Sequence, residues 1–117
     1  MKEYFRKIDD NNTITFRIGE NRSENHTLID DADKMDWWFH LDDIPSCHCI
    51  VERSHLEEDD IIFASTIVAE NSSKCDWKNK NIKKVRVCYI QVKNLKKTKN
   101  PGEVLLLKNP SIYILKK

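Results

Sequence analysis

One segment of this chain, Ser54 to Glu70, carries a helical period, and strand-like alternation flanks it on both sides. Ser54 stands three residues before Glu57, the spacing of a capping box. Glu57-Glu58-Asp59-Asp60 then gathers four acids where the positive end of a helix dipole favours them. Ile61, Ala64, Ile67 and Val68 form one apolar stripe, widened by Ile62 and Phe63. The spacing predicts a helix from about Leu56 to Glu70, packed by that stripe on a sheet. One main helix between strand-forming runs points to an α+β order.

The strand signals are local alternations. Tyr4–Ile8 and Thr13–Ile18 flank Asp9-Asp10-Asn11-Asn12, and Ile14, Phe16 and Ile18 alternate with Thr13, Thr15 and Arg17, which predicts a hairpin with one buried face. Residues 21–36 are polar apart from Leu28 and Ile29 and read as a loop with one short turn. Trp37–Leu41 reads as a strand with Trp37, Phe39 and Leu41 on one face and Trp38 and His40 on the other. After the turn at Asp42–Ser46, Cys47–Arg53 reads as the returning strand, and Val85–Val92, β-rich on both faces, as a central one. Val104–Leu107 and Ile112–Leu115 are expected to close the domain as a hairpin. The fold expected is one α+β domain over residues 1–117: a mixed, largely antiparallel sheet of about six or seven strands with one main helix packed on it.

Composition supports a folded core and excludes some functions. With 39% hydrophobic and 33% charged residues, the chain can bury a core despite a mean hydropathy of −0.65. Only Gly19 and Gly102 are glycine, so a Gly-rich phosphate loop of Walker or dinucleotide type is excluded. No apolar run is long enough for a membrane span. The opening MKEYFRKIDDNN has positive charges without an apolar stretch after them, so the expected location is the cytoplasm or nucleus, without secretion or membrane attachment.

The net charge of +1 hides a division along the chain. Residues 1–73 hold 7 Lys/Arg and 17 Asp/Glu, and residues 74–117 hold 13 and 2. Lys74, Lys78, Lys80, Lys83, Lys84, Arg86, Lys93, Lys96, Lys97 and Lys99 stand within 26 residues against the single acid Asp76. Such a density suits a polyanion, although a solvated face or pairing with the acidic half would also account for it. Surface pairing stabilises little, roughly 0–1 kcal/mol per bridge, and is a weak reason to keep ten cations together.

Four cysteines, Cys47, Cys49, Cys75 and Cys88, and four histidines, His26, His40, His48 and His55, raise the question of a metal. Structural zinc sites use pairs such as Cys-x2-Cys, whereas Cys47-x-Cys49 on a strand puts both thiols on one face and His48 on the other. Reduced thiols are expected, with no metal or other cofactor. Nothing in the residue order joins a cysteine to a histidine base, and Asp42-Asp43 before Pro45 reads as a turn, so no catalytic residues are expected. His40 and His48 lie on two strands joined by a short turn, with Trp38 beside His40. They either form an outward site, with Trp38 as a stacking platform and the imidazoles donating to phosphate or a 2′-hydroxyl, or belong to a satisfied core.

Five segments carry a resemblance: Gly19-Glu20-Asn21 with Asn25 and Leu28; Asp36-Trp37-Trp38-Phe39-His40; Pro45-Ser46-Cys47-His48; Asn71-Ser72-Ser73-Lys74; and Leu95-Lys96-Lys97-Thr98-Lys99 with Pro101-Gly102. In order and spacing, from about Thr13 onward, the chain resembles the NFACT-R domain, the RNA-binding module of proteins of ribosome-associated quality control. It departs at Ser46-Cys47-His48, where the family commonly has Gly-Ser-His or Ser-Ala-His. Activities resting on the additional domains of the large members are not carried over. The resemblance implies a nucleic-acid-binding module, with tRNA or rRNA preferred and DNA as the alternative. The residues expected to bind are Trp38, His40, His48, Lys74, Lys83, Lys84, Arg86, Lys96, Lys97 and Lys99. Two other classes stay open: an adaptor docking its acidic face on a ribosomal or other protein, and a small nuclease using His40 and His48.

Overall fold

The computed structural model describes residues 1–117. Strands β1 (Lys2–Asp9) and β2 (Asn12–Gly19) form the expected hairpin, and the Asp9 carboxylate accepts from the Asn11 amide at 2.8 Å to hold its turn. Strands β3 (Trp37–Leu41), β4 (His48–Val51), β5 (Lys84–Gln91) and β8 (Ser111–Lys116) complete one sheet in the order β1-β2-β4-β3-β5-β8. Every neighbouring pair is antiparallel.

Alternation gives the sheet two apolar faces. Ile14, Phe16, Ile18, Phe39, Leu41, Cys49, Val51 and Val87 face the main helix α2 (Glu58–Asn71), which buries Ala64, Ile67, Val68 and Ala69 against them. Fully burying an Ile or Val side chain stabilises by about 1.5–3 kcal/mol, so this stripe explains the helix better than its helix propensity does. The helix starts later than the Ser54 spacing suggested. Its N-cap is Glu57, whose amide donates to Asp60 Oδ2 at 2.9 Å.

Asp60 is not a solvated first-turn acid. Its side chain is fully buried, receives Arg6 on Oδ1, and accepts from Arg53 Nη1 on Oδ2 at 2.7 Å. Burial alone would raise its carboxyl. The Arg6 hydrogen bond, the Glu57 amide and Arg53 outweigh it and hold the group below the usual carboxylate range. The pairing ties β1 and the segment after β4 to the start of α2.

Two expectations are corrected. The polar segment after Gly19 is not a loop but helix α1 (Arg22–Asp31), capped by Asn21, whose side chain accepts from the Glu24 amide at 2.9 Å. Only Leu28 and Ile29 are apolar on its buried face, and the third buried position is the polar Asn25, so its period was invisible in hydropathy. The segments around 104 and 112 are not a hairpin either. Strand β7 (Val104–Leu106) pairs with β6 (Leu95–Lys97) in a separate two-stranded sheet, and β8 pairs with β5. Leu115 on β8 is thereby buried in the core cluster with the apolar face of α2.

The second face is covered near its centre by α1 and the small sheet. Leu28 and Ile29 join Trp38, Ile50, Cys88, Ile90 and Val92 in a second apolar cluster, with Leu95 and Val104 packed at its edge. This face carries His40 and His48. No helix is long and apolar enough to cross a membrane.

Candidate nucleic-acid interface

β3 and β4 bring Trp38, His40 and His48 together because each projects on the sheet face opposite α2. Trp38 and His40 stack at 5.3 Å between ring centroids and 15° between planes. His48 meets Trp38 edge-on at 5.4 Å and His40 at 5.1 Å. The Trp38 indole Nε1 donates to His48 Nδ1 at 3.2 Å, and His40 Nδ1 faces the Leu41 carbonyl. Burial lowers the His40 imidazole, and burial with the neighbouring His40 lowers His48 to about 3. Both rings are neutral at physiological pH.

Of the two readings open for it, outward platform or core, Trp38 favours the core by its burial. It is 3% exposed because α1 and the small sheet lie over it, so it backs His40 instead of offering a free platform. His48 is likewise 3% exposed, and His40 is half-buried. The joining turn explains how the two histidines are held. Asp43 takes a left-handed φ of 66°, Ser46 Oγ accepts from the Leu41 amide at 3.1 Å, and the Cys47 amide donates to Ser72 Oγ at 3.1 Å. The departure at Ser46-Cys47-His48 is thus accommodated: Cys47 turns into the α2 core and His48 to the other face.

The glycine–asparagine segment has a structural task. The Asn25 side chain accepts from the His48 amide at 3.3 Å, and a Cβ on Gly19 would stand 2.2 Å from Asn25 Oδ1. Gly19 therefore leaves room for the asparagine that fixes His48. Gly102, at φ 81°, brings the β6–β7 turn against Arg22, 3.1 Å from its Cα if a Cβ were present.

Around this centre lies a row of clefts sharing lining residues. A polar cleft of about 270 Å³ at the α1 N-terminus is lined by Arg22, Asn25, Pro45, Ser46, Ser72 and Lys74 among others. Arg22 continues into a cleft of about 400 Å³ with Asn100–Glu103. Pro45, Gly102 and Glu103 lead to the histidine cleft of about 440 Å³, and Asp42 and Asp43 connect that to one of about 440 Å³ beside Lys84 and Arg86. Arg22, Asn25, Asp43, Ser72 and Glu103 were not singled out as binding residues. The quoted segments Gly19–Asn21 with Asn25, Pro45–His48 and Asn71–Lys74 supply lining residues of the first of these clefts, but their meeting there is visible only in the fold.

The cations fall in separate groups. Lys74 lies with Arg22 at one end of the row. Lys84 and Arg86 project from β5 at the other, on the face of His40, since His40 is the cross-strand partner of Cys88. Arg86 Nε donates to Asp42 Oδ2 at 3.1 Å. Lys96 and Lys99 are exposed on the small sheet and its turn, Lys83 is exposed just before β5, and Lys97 is bound to Asp30 of α1. The seven basic residues expected to bind are divided between the two ends of the row, the segment before β5 and the small sheet.

All four thiols are free and buried, and no group of three or more His, Cys, Asp or Glu side chains is gathered as a metal site. The arrangement offers imidazoles for hydrogen bonding, with cations at the two ends of the row of clefts.

This architecture defines an α+β module with a row of neighbouring clefts beside its histidine pair. The family model described as the NFACT protein RNA binding domain matches residues 1–108, and the chain belongs to that family. The Rqc2 homolog RqcH of Bacillus subtilis (strain 168) is 30% identical over 104 residues, 86% of this chain. The chain spans 17% of that relative's length. The solved C-terminal part of the fibronectin/fibrinogen-binding protein from Streptococcus suis covers the chain at a TM-score of 0.80 and 23% identity, over 97% of this chain and 44% of that one, and shares its fold.

Proposed function

We propose that the chain binds RNA along the row of clefts from Lys74 and Arg22, past His40 and His48, to Lys84 and Arg86. The observation that carries this reading is the continuity of the clefts, with cations at both ends and the imidazole pair between. Lys74, Arg22, Lys84 and Arg86 contact phosphates, whereas Lys83, Lys96 and Lys99 strengthen the attractive field. Lys97 acts partly through its bond to Asp30, holding the small sheet on α1. Trp38 contributes by positioning His48, and His40 and His48 by the rings that line the cleft. Ribosome-associated quality control, with tRNA or rRNA as the partner, is the setting the family supports; a cytoplasmic location goes with it.

Fluorescence anisotropy of the 117-residue chain with labelled single-stranded RNA, tRNA and duplex DNA at two salt concentrations tests this reading. RNA should bind more tightly than DNA and with strong salt dependence. Lys84→Glu with Arg86→Glu should weaken binding and reduce the logarithmic salt slope by about 1.4 on single strands, from two lost phosphate contacts. Absence of binding at low salt, or a slope unmoved by both reversals, would remove this groove from the site.

A further inference from the structure

The histidine cleft differs in chemistry from the cationic ends of the groove. Trp38 Nε1 can only donate, so His48 Nδ1 must accept and neutral His48 carries its proton on Nε2. The Leu41 carbonyl can only accept, so His40 carries its proton on Nδ1 and leaves Nε2 bare. Neither Nε2 has a hydrogen-bond partner in the protein, and both rings line the cleft. His48 is thus a side chain more than nine-tenths buried whose free N–H meets the cleft beside the free acceptor of His40, the ring centroids 5.1 Å apart.

We propose that this cleft takes one unpaired nucleobase bearing an exocyclic amino group, read by the donor of His48, the acceptor of His40 and the carboxylates of Asp43 and Glu103. A base edge places donors and acceptors side by side, the complement of this imidazole pair. Asp43 and Glu103 line the same cleft and accept from an amino group, whereas they repel carbonyl oxygens. Adenine, cytosine and guanine carry that amino group; uracil and hypoxanthine do not. Val104, Leu106 and Ile44 supply apolar walls for a planar ring, and a volume of about 440 Å³ admits one. The same carboxylates, with both imidazoles neutral, disfavour a phosphate here, so the strand's phosphates belong at the cationic ends. Delivery of the base as part of a strand rests on the RNA-binding reading above.

The test uses long-range imidazole ¹⁵N spectra of the 117-residue chain titrated with AMP, CMP, GMP, UMP and IMP, beside anisotropy with ten-residue oligo(A), oligo(C) and oligo(U). The amino-bearing nucleotides should shift His40 Nε2 and His48 Nε2, with UMP and IMP binding about tenfold more weakly, the effect of one hydrogen bond of ~1.4 kcal/mol. Asp43→Gly combined with Glu103→Ala keeps the left-handed turn and touches only exposed residues, so the fold survives; it should bring the AMP/UMP and GMP/IMP ratios toward one. Salt-dependent binding of all three oligonucleotides without imidazole shifts, or with UMP equal to AMP, would overturn the base site while leaving RNA binding in place. Imidazole shifts by amino-bearing nucleotides without binding of any oligonucleotide would support the base site and overturn the RNA reading.

Discussion

The indole of Trp38 donates its only proton to Nδ1 of His48 at 3.2 Å, in a part of the sheet where both residues are 3% exposed. A buried tryptophan usually finds a partner for its N–H, and here the partner is the residue whose opposite nitrogen opens on the cleft. The bond therefore fixes a tautomer as well as a packing arrangement.

Trp38→Phe keeps an aromatic ring over the cluster but leaves His48 Nδ1 without its donor. A lost buried partner costs about 1–3 kcal/mol, which urea unfolding should register. The imidazole ¹⁵N spectrum supplies a second reading. The single Nε2–H form of His48 should give way to a tautomer mixture, and an unchanged spectrum would sever the link between Trp38 and the histidine's donor.

Acid should destabilise the fold well above the carboxylate range. His48 titrates at about 3 in the native state and near 6.5 when unfolded, so between those values the unfolded chain binds the extra proton and stability falls as pH falls. From pH 7 to pH 5 the loss from this residue is about 2 kcal/mol, and the lowered His40 adds to it in the same direction. Asp60, lowered in the native state, adds a further loss only as pH drops through the acid range below its unfolded value. Chemical denaturation at several pH values should show the first decline beginning near pH 6.5, and a folded His48→Gln variant should lose most of it.

Gly19→Ala should destabilise by about 1–3 kcal/mol, because its methyl group would stand 2.2 Å from Asn25 Oδ1. The fault is steric and specific to that neighbour. With Asn25→Ala as well, the double variant should be more stable than the sum of the single losses predicts, and simple additivity in a double-mutant cycle would show that the two residues do not press on each other.

Asp60→Asn removes the charge shared by Arg6 and Arg53 with little change in shape. Breaking a buried pair from one side costs about 3–5 kcal/mol, and thermal or urea unfolding should show a loss of that order. A loss below about 1 kcal/mol would class the cluster with ordinary surface bridges.

Ile14, Phe16 and Ile18, and the stripe of α2, were legible because a strand or helix with one apolar face writes its period into the order of residues. The faces of β3 were legible as well: Trp37, Phe39 and Leu41 do lie opposite Trp38 and His40. Helix α1 was not, since its buried face has only two apolar residues and its third member, Asn25, is buried for a hydrogen bond to the His48 amide. The NFACT-R resemblance came from residue order and was sound; the quoted segments meet around the α1 N-terminus and the histidine cleft, though no local pattern says so.

Alternation, capping and charge order are properties of neighbours along the chain, so the sequence by itself determined the α+β class, the main helix, most strands and the family. Which strand β8 pairs with, which side of β3 is covered and which cations share a groove depend on residues far apart in sequence. The fold decided those: α1 and the β6–β7 sheet cover Trp38 and His48, and the long-range pairing of β5 with β3 sets Arg86 beside Asp42 on the His40 face. Long-range pairing and burial are cooperative properties of the whole core, and that is why a buried tryptophan and an exposed one look alike in the sequence.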